Sequence, residues 1–156
     1  MEKFFDMTLL IMEGAEVTLQ IFVVTLVLSL PIGALAALGR ISKFAPLRYV
    51  MEFYVWIMRG TPLMLQLLFV YFALPTVGIM LPDVAAALLA FTLNYAAYFA
   101  EIFRAGIQSI PRGQYEAAKA LGLRHWQMMS YVIFPHVLRV VLPPISNETI
   151  NLVKDT

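Results

Sequence analysis

Six polar residues sit where the surrounding sequence is apolar: Arg59, Asn94, Glu101, Asn147, Glu148 and Asn151. Cost limits what they can do. An Arg at the centre of a bilayer carries a penalty of about 2.5–3.5 kcal/mol on insertion scales, so it needs a partner or water. Arg59 and Glu101 form a candidate pair, alone or in a shared network with Arg104. Such a pair either fixes helix packing or contacts a substrate directly. Asn147 and Asn151 share a helical face at four-residue spacing, with Glu148 adjacent. With Asn94 they could line a path for a zwitterion, because amide and carboxylate groups can meet ammonium and carboxylate. The alternatives are hydrogen bonds between helices, or a segment end that already lies in water.

Bond-making chemistry is poorly served. There is no cysteine, which excludes a disulfide framework, thiolate metal ligands and a cysteine nucleophile. The histidines, His125 and His136, have no acidic residue between them and make a poor metal pair. No Ser-His-Asp set is credible. No Gly is followed by Lys, so a G-x-x-x-x-G-K-[ST] phosphate loop is missing at its core. The expectation is a chain with no catalytic residues, no metal and no cofactor, for which any ATP hydrolysis is supplied in trans.

The elements that position the polar residues follow from composition. The chain has 156 residues, of which 61% are hydrophobic and 13% charged. Soluble domains are usually about half apolar and roughly a quarter charged. A soluble chain this short could not hide the excess in one core, so lipid is its natural solvent. The net charge of +1 gives no field that would attract nucleic acid. Four apolar segments are expected to span: Val17 to Leu38, about Tyr49 to Leu74, Val84 to Phe103, and Trp126 to Val153. At about 1.5 Å rise per residue, the first matches a hydrocarbon core roughly 30 Å thick. The fourth holds Pro135, Pro143 and Pro144, which suggest a kinked or re-entrant start. Gly33 with Ala37, and Ala86 with Ala90, are small pairs that let helices approach closely. Arg40, Lys43 and Arg48 follow segment one, and Arg104, Arg112, Lys119 and Arg124 follow segment three. The leader and the loop from Pro75 to Asp83 carry only Lys3 as a base. Basic loops stay cytoplasmic, which places the N-terminus outside. Segment four ends in a polar stretch with no obvious stop, so a further helix is expected beyond Thr156.

The most specific signal is the second basic loop, residues 104–126. Gln114 to Leu121 reads as a short helix of strong formers, with Pro111 before it and Gly122 as a left-handed stop after it. A second short helix is expected from Leu123. The expected result is a compact helix-turn-helix whose Ala117, Ala118 and Leu121 surface suits a groove on a partner.

Glu116-Ala117-Ala118, then Gly122, Val132, Phe134 and Pro135, resembles the "EAA" loop of ABC importer permeases. That pattern runs E-A-A, three residues, G, nine residues, I, one residue, L-P; here Val132 replaces the Ile and Phe134 the Leu. Arg59-Gly60-Thr61-Pro62-Leu63 with Gln66-Leu67 is similar to the second-segment signature of polar amino acid permeases. Ala97-Tyr98, Glu101, Arg104 and Gly106, then Ser109-Ile110-Pro111 and Gly113-Gln114, resemble the stretch that precedes their EAA loop. The resemblance covers roughly Thr18 to the C-terminus.

The resemblance implies an all-α transmembrane chain of the type I ABC importer permease fold, forming a single domain over residues 1–156. Four of its segments are present and a final one is expected to be missing. It implies a permease subunit in the bacterial cytoplasmic (inner) membrane that translocates a polar amino acid. Its partners would be an ABC ATP-binding subunit, an extracytoplasmic substrate-binding protein, and a second permease copy, identical or related. Glu116, Ala117, Ala118 and Gly122 would form the joint with the ATPase, with Gly122 allowing close packing. The alternative is an ion-coupled secondary transporter or channel using Arg59, Glu101 and Glu148 as a relay. It leaves the cytoplasmic loop without a purpose.

Overall fold

The computed structural model describes the backbone of residues 2–156, and the side chains of Met7, Thr8 and residues 11–156. The leader side chains from Met1 to Asp6, on which the orientation argument draws through Lys3, lie outside the described side chains. All described regular structure is helical. The helices are α1 (Glu2–Arg40), α2 (Ala45–Gly60), α3 (Leu63–Thr76), α4 (Asp83–Gln108), α5 (Arg112–Ala120), α6 (His125–Met128) and α7 (Phe134–Asp155), with a π-turn (Met129–Ile133) joining the last two.

Three stretches are long and apolar enough to cross a membrane: Ile11–Arg40, Asp83–Gln108 and His125–Asp155. The second expected segment is not one straight helix. It is α2 and α3, bent by 105° at a short break. Pro62 explains the break. Its ring disfavours helical backbone at Thr61, which is extended at φ −119 and ψ 145. Apolar side chains elsewhere face outward, among them Val27, Leu35, Trp56 and Phe69. Such a surface suits lipid or partner helices rather than water.

α4 is the central post. Its buried face includes Ala96, Ala97, Phe99 and Ala100. α1 runs parallel to it: Phe22 and Leu26 pack in the cluster of Phe91 and Tyr95, while Ala36 and Ala37 pack with Ala97 and Ala100. Of the small pairs, Gly33 and Ala37 both serve this approach, and Gly33 leaves no room for a side chain. A β-carbon there would lie 2.7 Å from Phe99 Cβ and 2.9 Å from the Ala96 carbonyl oxygen. The carbonyl cannot yield without moving α4. Gly33→Ala should therefore destabilise the fold by about 1–3 kcal/mol, the usual cost of overpacking. Thermal unfolding of the purified chain in lipid nanodiscs checks this, and an unchanged midpoint would mean the two helices can separate freely.

α7 runs antiparallel to α4. Near the basic end, Gly106 faces Val141, so that a β-carbon would meet its Cγ1 at 2.3 Å. Further along, Tyr95 on α4 reaches Asp155 on α7. The expected kinked or re-entrant start of α7 takes another form. Residues 125–155 run on as one span, with the π-turn just before Pro135. A proline has no N–H and clashes with the carbonyl four residues back. Here the Phe134 N–H bonds the Met129 carbonyl, five residues back.

Candidate functional site

Two groups of residues stand out, at different levels of the bundle. The first begins with a clasp. Glu101 on α4 accepts hydrogen bonds from Arg40, the last residue of α1, and from Arg104 one turn along α4. Arg59 Nη1, near the end of α2, lies 3.8 Å from Glu101 Oε2. Arg59 and Glu101 thus approach within ion-pair range, but Arg40 and Arg104 hold the carboxylate more closely. Sequence reasoning missed Arg40 and read it as a loop charge. Arg59 also lies over the Tyr98 ring, with Cζ 5.4 Å from its centroid.

Above the clasp, the α2–α3 elbow is tied by amides. Gln66 donates to the Met58 carbonyl at 2.9 Å and to Thr61 Oγ1 at 2.7 Å. Asn94 donates to the same Met58 carbonyl at 3.1 Å and to Gln66 Oε1 at 3.0 Å. Both satisfy backbone that the break in the helix frees. Asn94 is 4% exposed, so its amide is committed to the elbow.

The elbow forms one wall of a polar cleft of about 270 Å³. Thr61, Pro62 and Leu63 supply that wall; Asn94, Tyr95 and Tyr98 line the α4 side; Glu148, Asn151, Lys154 and Asp155 line the α7 side. The Tyr95 hydroxyl donates to Asp155 Oδ2 at 2.5 Å, and Asn151 Nδ2 lies 3.4 Å from Glu148 Oε2. Two carboxylates against one ammonium make this cleft acidic. Asn94, Glu148 and Asn151 therefore meet in one place. Asn147 does not; it is exposed and turned away from the cleft. Positions 148, 151 and 155 repeat at helical spacing, a pattern that carries the α7 stripe to Asp155 and leaves Asn147 beside it.

The second group is the loop between α4 and α7. α5 ends where Gly122 adopts φ +71, a left-handed conformation that suits glycine. The Gly122 N–H bonds the Lys119 carbonyl at 2.9 Å and the Leu123 N–H bonds Ala118 at 3.1 Å, which together close a Schellman cap. Packing within this chain does not require glycine at 122, since a β-carbon there would meet nothing within 4 Å. Backbone conformation is what requires it.

Ala118 is a correction. It was expected on the partner-facing surface but is 2% exposed, packed in a cluster with Ile110, Met128 and Ile133. It seats α5 on the bundle. The outward face is Glu116, Ala117, Ala120 and Leu121, the last 78% exposed, with Trp126 also open nearby. His125 is exposed at the start of α6 and His136 is half-buried in α7. Among the described residues, no group of three His, Asp or Glu is placed to hold a metal ion.

Residues 29–156 match the family described as "Binding-protein-dependent transport system inner membrane component". The chain is 42% identical over 144 residues to a probable amino-acid ABC transporter permease protein, YckA, of Bacillus subtilis (strain 168), covering 92% of this chain and 64% of that protein. It is 44% identical over 147 residues to the arginine transport system permease protein ArtQ of the same organism, covering 94% of this chain and 67% of ArtQ. The chain thus spans about two thirds of the length of these curated relatives. A crystal structure of an amino acid ABC transporter with histidines superposes with a TM-score of 0.89 at 37% identity, covering 98% of this chain and 72% of that one. An inward-facing MetNI methionine ABC transporter superposes at 0.62 with 25% identity, over 92% of this chain and 68% of that one.

Proposed function

The chain belongs to the binding-protein-dependent transport system inner membrane component family, and from that premise we propose that it is a membrane-spanning permease subunit of an ATP-driven ABC importer for a polar amino acid. The observation that carries this reading is α5. It is a short, capped helix seated through Ala118, with Glu116, Ala117 and Leu121 left open on the basic end of an apolar bundle. A face of that size and chemistry suits a groove on a partner. The partner would be the ATP-binding subunit, which hydrolyses ATP while this chain supplies the path. A substrate-binding protein would deliver the amino acid at the opposite end, and a second permease copy would complete the path. The basic residues of the turn after α1 and of the loop after α4 support an N-terminus outside the cytoplasm. The relatives at about 40% identity are ABC permeases, and none of them supports the ion-coupled alternative. Co-expression of the full chain with the ATP-binding subunit, followed by affinity purification, tests the assignment. The two should co-purify. A Leu121→Glu variant should lose the partner while keeping its fold, and retention of the partner by that variant would count against the α5 surface.

The acidic cleft is proposed to receive the substrate. Glu148 and Asp155 would hold an ammonium or guanidinium group, and Asn151 would accept or donate beside them. Glu148→Gln should raise the apparent KM for a cationic amino acid about ten-fold, equivalent to about 1.4 kcal/mol. Uptake of a neutral amino acid should change less. Uptake assays with labelled L-arginine and L-glutamine make the comparison, and equal effects on both would remove Glu148 from the site.

A further inference from the structure

Arg59 differs from the other two arginines of the clasp. Arg40 and Arg104 hydrogen-bond Glu101 and are 16% and 26% exposed, whereas Arg59 stands 3.8 Å away and is 42% exposed. Its guanidinium is shared between that carboxylate and the Tyr98 ring, 5.4 Å from the ring centroid and within cation–π range. Tyr98 also lines the acidic cleft. One ring therefore meets the contents of the cleft and, through Arg59, the clasp that joins α1 to α4.

The backbone beneath Arg59 is held. Thr61 Oγ1 donates to the Ile57 carbonyl at 2.8 Å, and Gln66 and Asn94 both donate to the Met58 carbonyl. Freedom is left to the side chain. We propose that Arg59 is a positioning residue that reports occupancy of the cleft to the Glu101 clasp, acting through Tyr98. This rests on the cleft being the amino acid site proposed above. A substrate ammonium drawn in by Glu148 and Asp155 competes for the Tyr98 ring and repels the guanidinium. The carboxylate in reach of Arg59 is Glu101. An occupied cleft thus drives Arg59 from ion-pair distance into a hydrogen bond, which ties α2 to the α1–α4 pair. An empty cleft lets it return to the ring.

The test uses the full chain assembled with its ATP-binding and substrate-binding partners in nanodiscs, with L-arginine and L-glutamine as probes. Two readouts are needed: the rise in unfolding midpoint that the amino acid causes in the permease, and its stimulation of ATP hydrolysis. Arg59→Gln should keep the rise in midpoint and the basal hydrolysis but lose the stimulation. Arg59→Lys keeps the charge without the flat stacking surface, and should recover only part. Should Arg59→Gln fail to assemble, Arg59→Lys and Tyr98→Leu carry the test, each losing most of the stimulation. Wild-type stimulation in Arg59→Gln, or in both of the other variants, overturns the relay. If neither amino acid raises the midpoint of the unaltered protein, the cleft reading fails first and takes the relay with it.

Discussion

Glu101→Gln should lower the stability of the chain by about 3 kcal/mol, the lower end of what is lost when one partner of a buried ion pair is removed. The lower end applies because the carboxylate is 24% exposed. The variant leaves Arg40, Arg59 and Arg104 converging on a neutral amide. Their mutual repulsion acts between α1, α2 and α4, the three helices that the clasp brings together. Thermal unfolding in nanodiscs measures the loss. Arg59→Ala should cost much less, because two hydrogen-bonded partners remain. Exchanging the charges of Arg59 and Glu101 should not rescue assembly, since an arginine at position 101 would sit beside Arg40 and Arg104. Full rescue by that exchange would show that Arg59 is the dominant partner after all.

Gly122→Val should separate ATP hydrolysis from transport. A β-branched residue at φ +71 is strained by roughly 1–2 kcal/mol, and relieving that strain undoes the cap that ends α5. Gly122 has open surroundings in this chain, so the membrane part should fold and the ATP-binding subunit should still hydrolyse ATP. Uptake in proteoliposomes should fall at least ten-fold, a change of about 1.4 kcal/mol in coupling. Gly122→Asn is the informative control, because Asn tolerates left-handed backbone better than most residues. Near-normal transport in Gly122→Asn would tie the requirement to conformation. Equal failure of both variants would point instead to a space limit against the partner.

Much of this was legible before the fold was known, for identifiable reasons. Apolar length and the distribution of basic residues mark the spans. Pro111 and Gly122 bracket α5, because each restricts or frees the backbone locally. The neighbourhood of Arg59 and Glu101 was legible because charges in apolar runs need partners. Other features depend on tertiary contact. The elbow after Gly60 lies within an apolar run that continues without change of composition, and the one available signal was the effect of Pro62 on Thr61. Arg40 joins the clasp because α1 packs tightly along α4 at Gly33; the Gly33 and Ala37 spacing marks a close approach but not the helix it meets. Ala117 and Ala118 are identical in chemistry. Only the phase of α5 on its seat decides that Ala118 turns inward beside Ile110 and Met128. Asp155 could have been found from the spacing of Glu148, Asn151 and Asp155, but Tyr95 and Tyr98 read as ordinary helix aromatics until the cleft is seen.

The π-turn before Pro135 sets an angular offset between the two ends of one rod. A π-turn accommodates an extra residue relative to α-helical geometry. One residue corresponds to about 100° of rotation in a helix of 3.6 residues per turn. Below the turn, Met128 holds the seat of α5; above it, Glu148, Asn151 and Asp155 face the cleft. Winding residues 129–133 as regular α-helix at the same length would swing the acidic stripe out of the cleft without altering any of its side chains, whereas removing one residue together with the π-turn would leave the stripe in place. The bearing of α5 relative to the acidic stripe is therefore stored as a winding defect, much as a spacer sets the timing between two cams on one shaft.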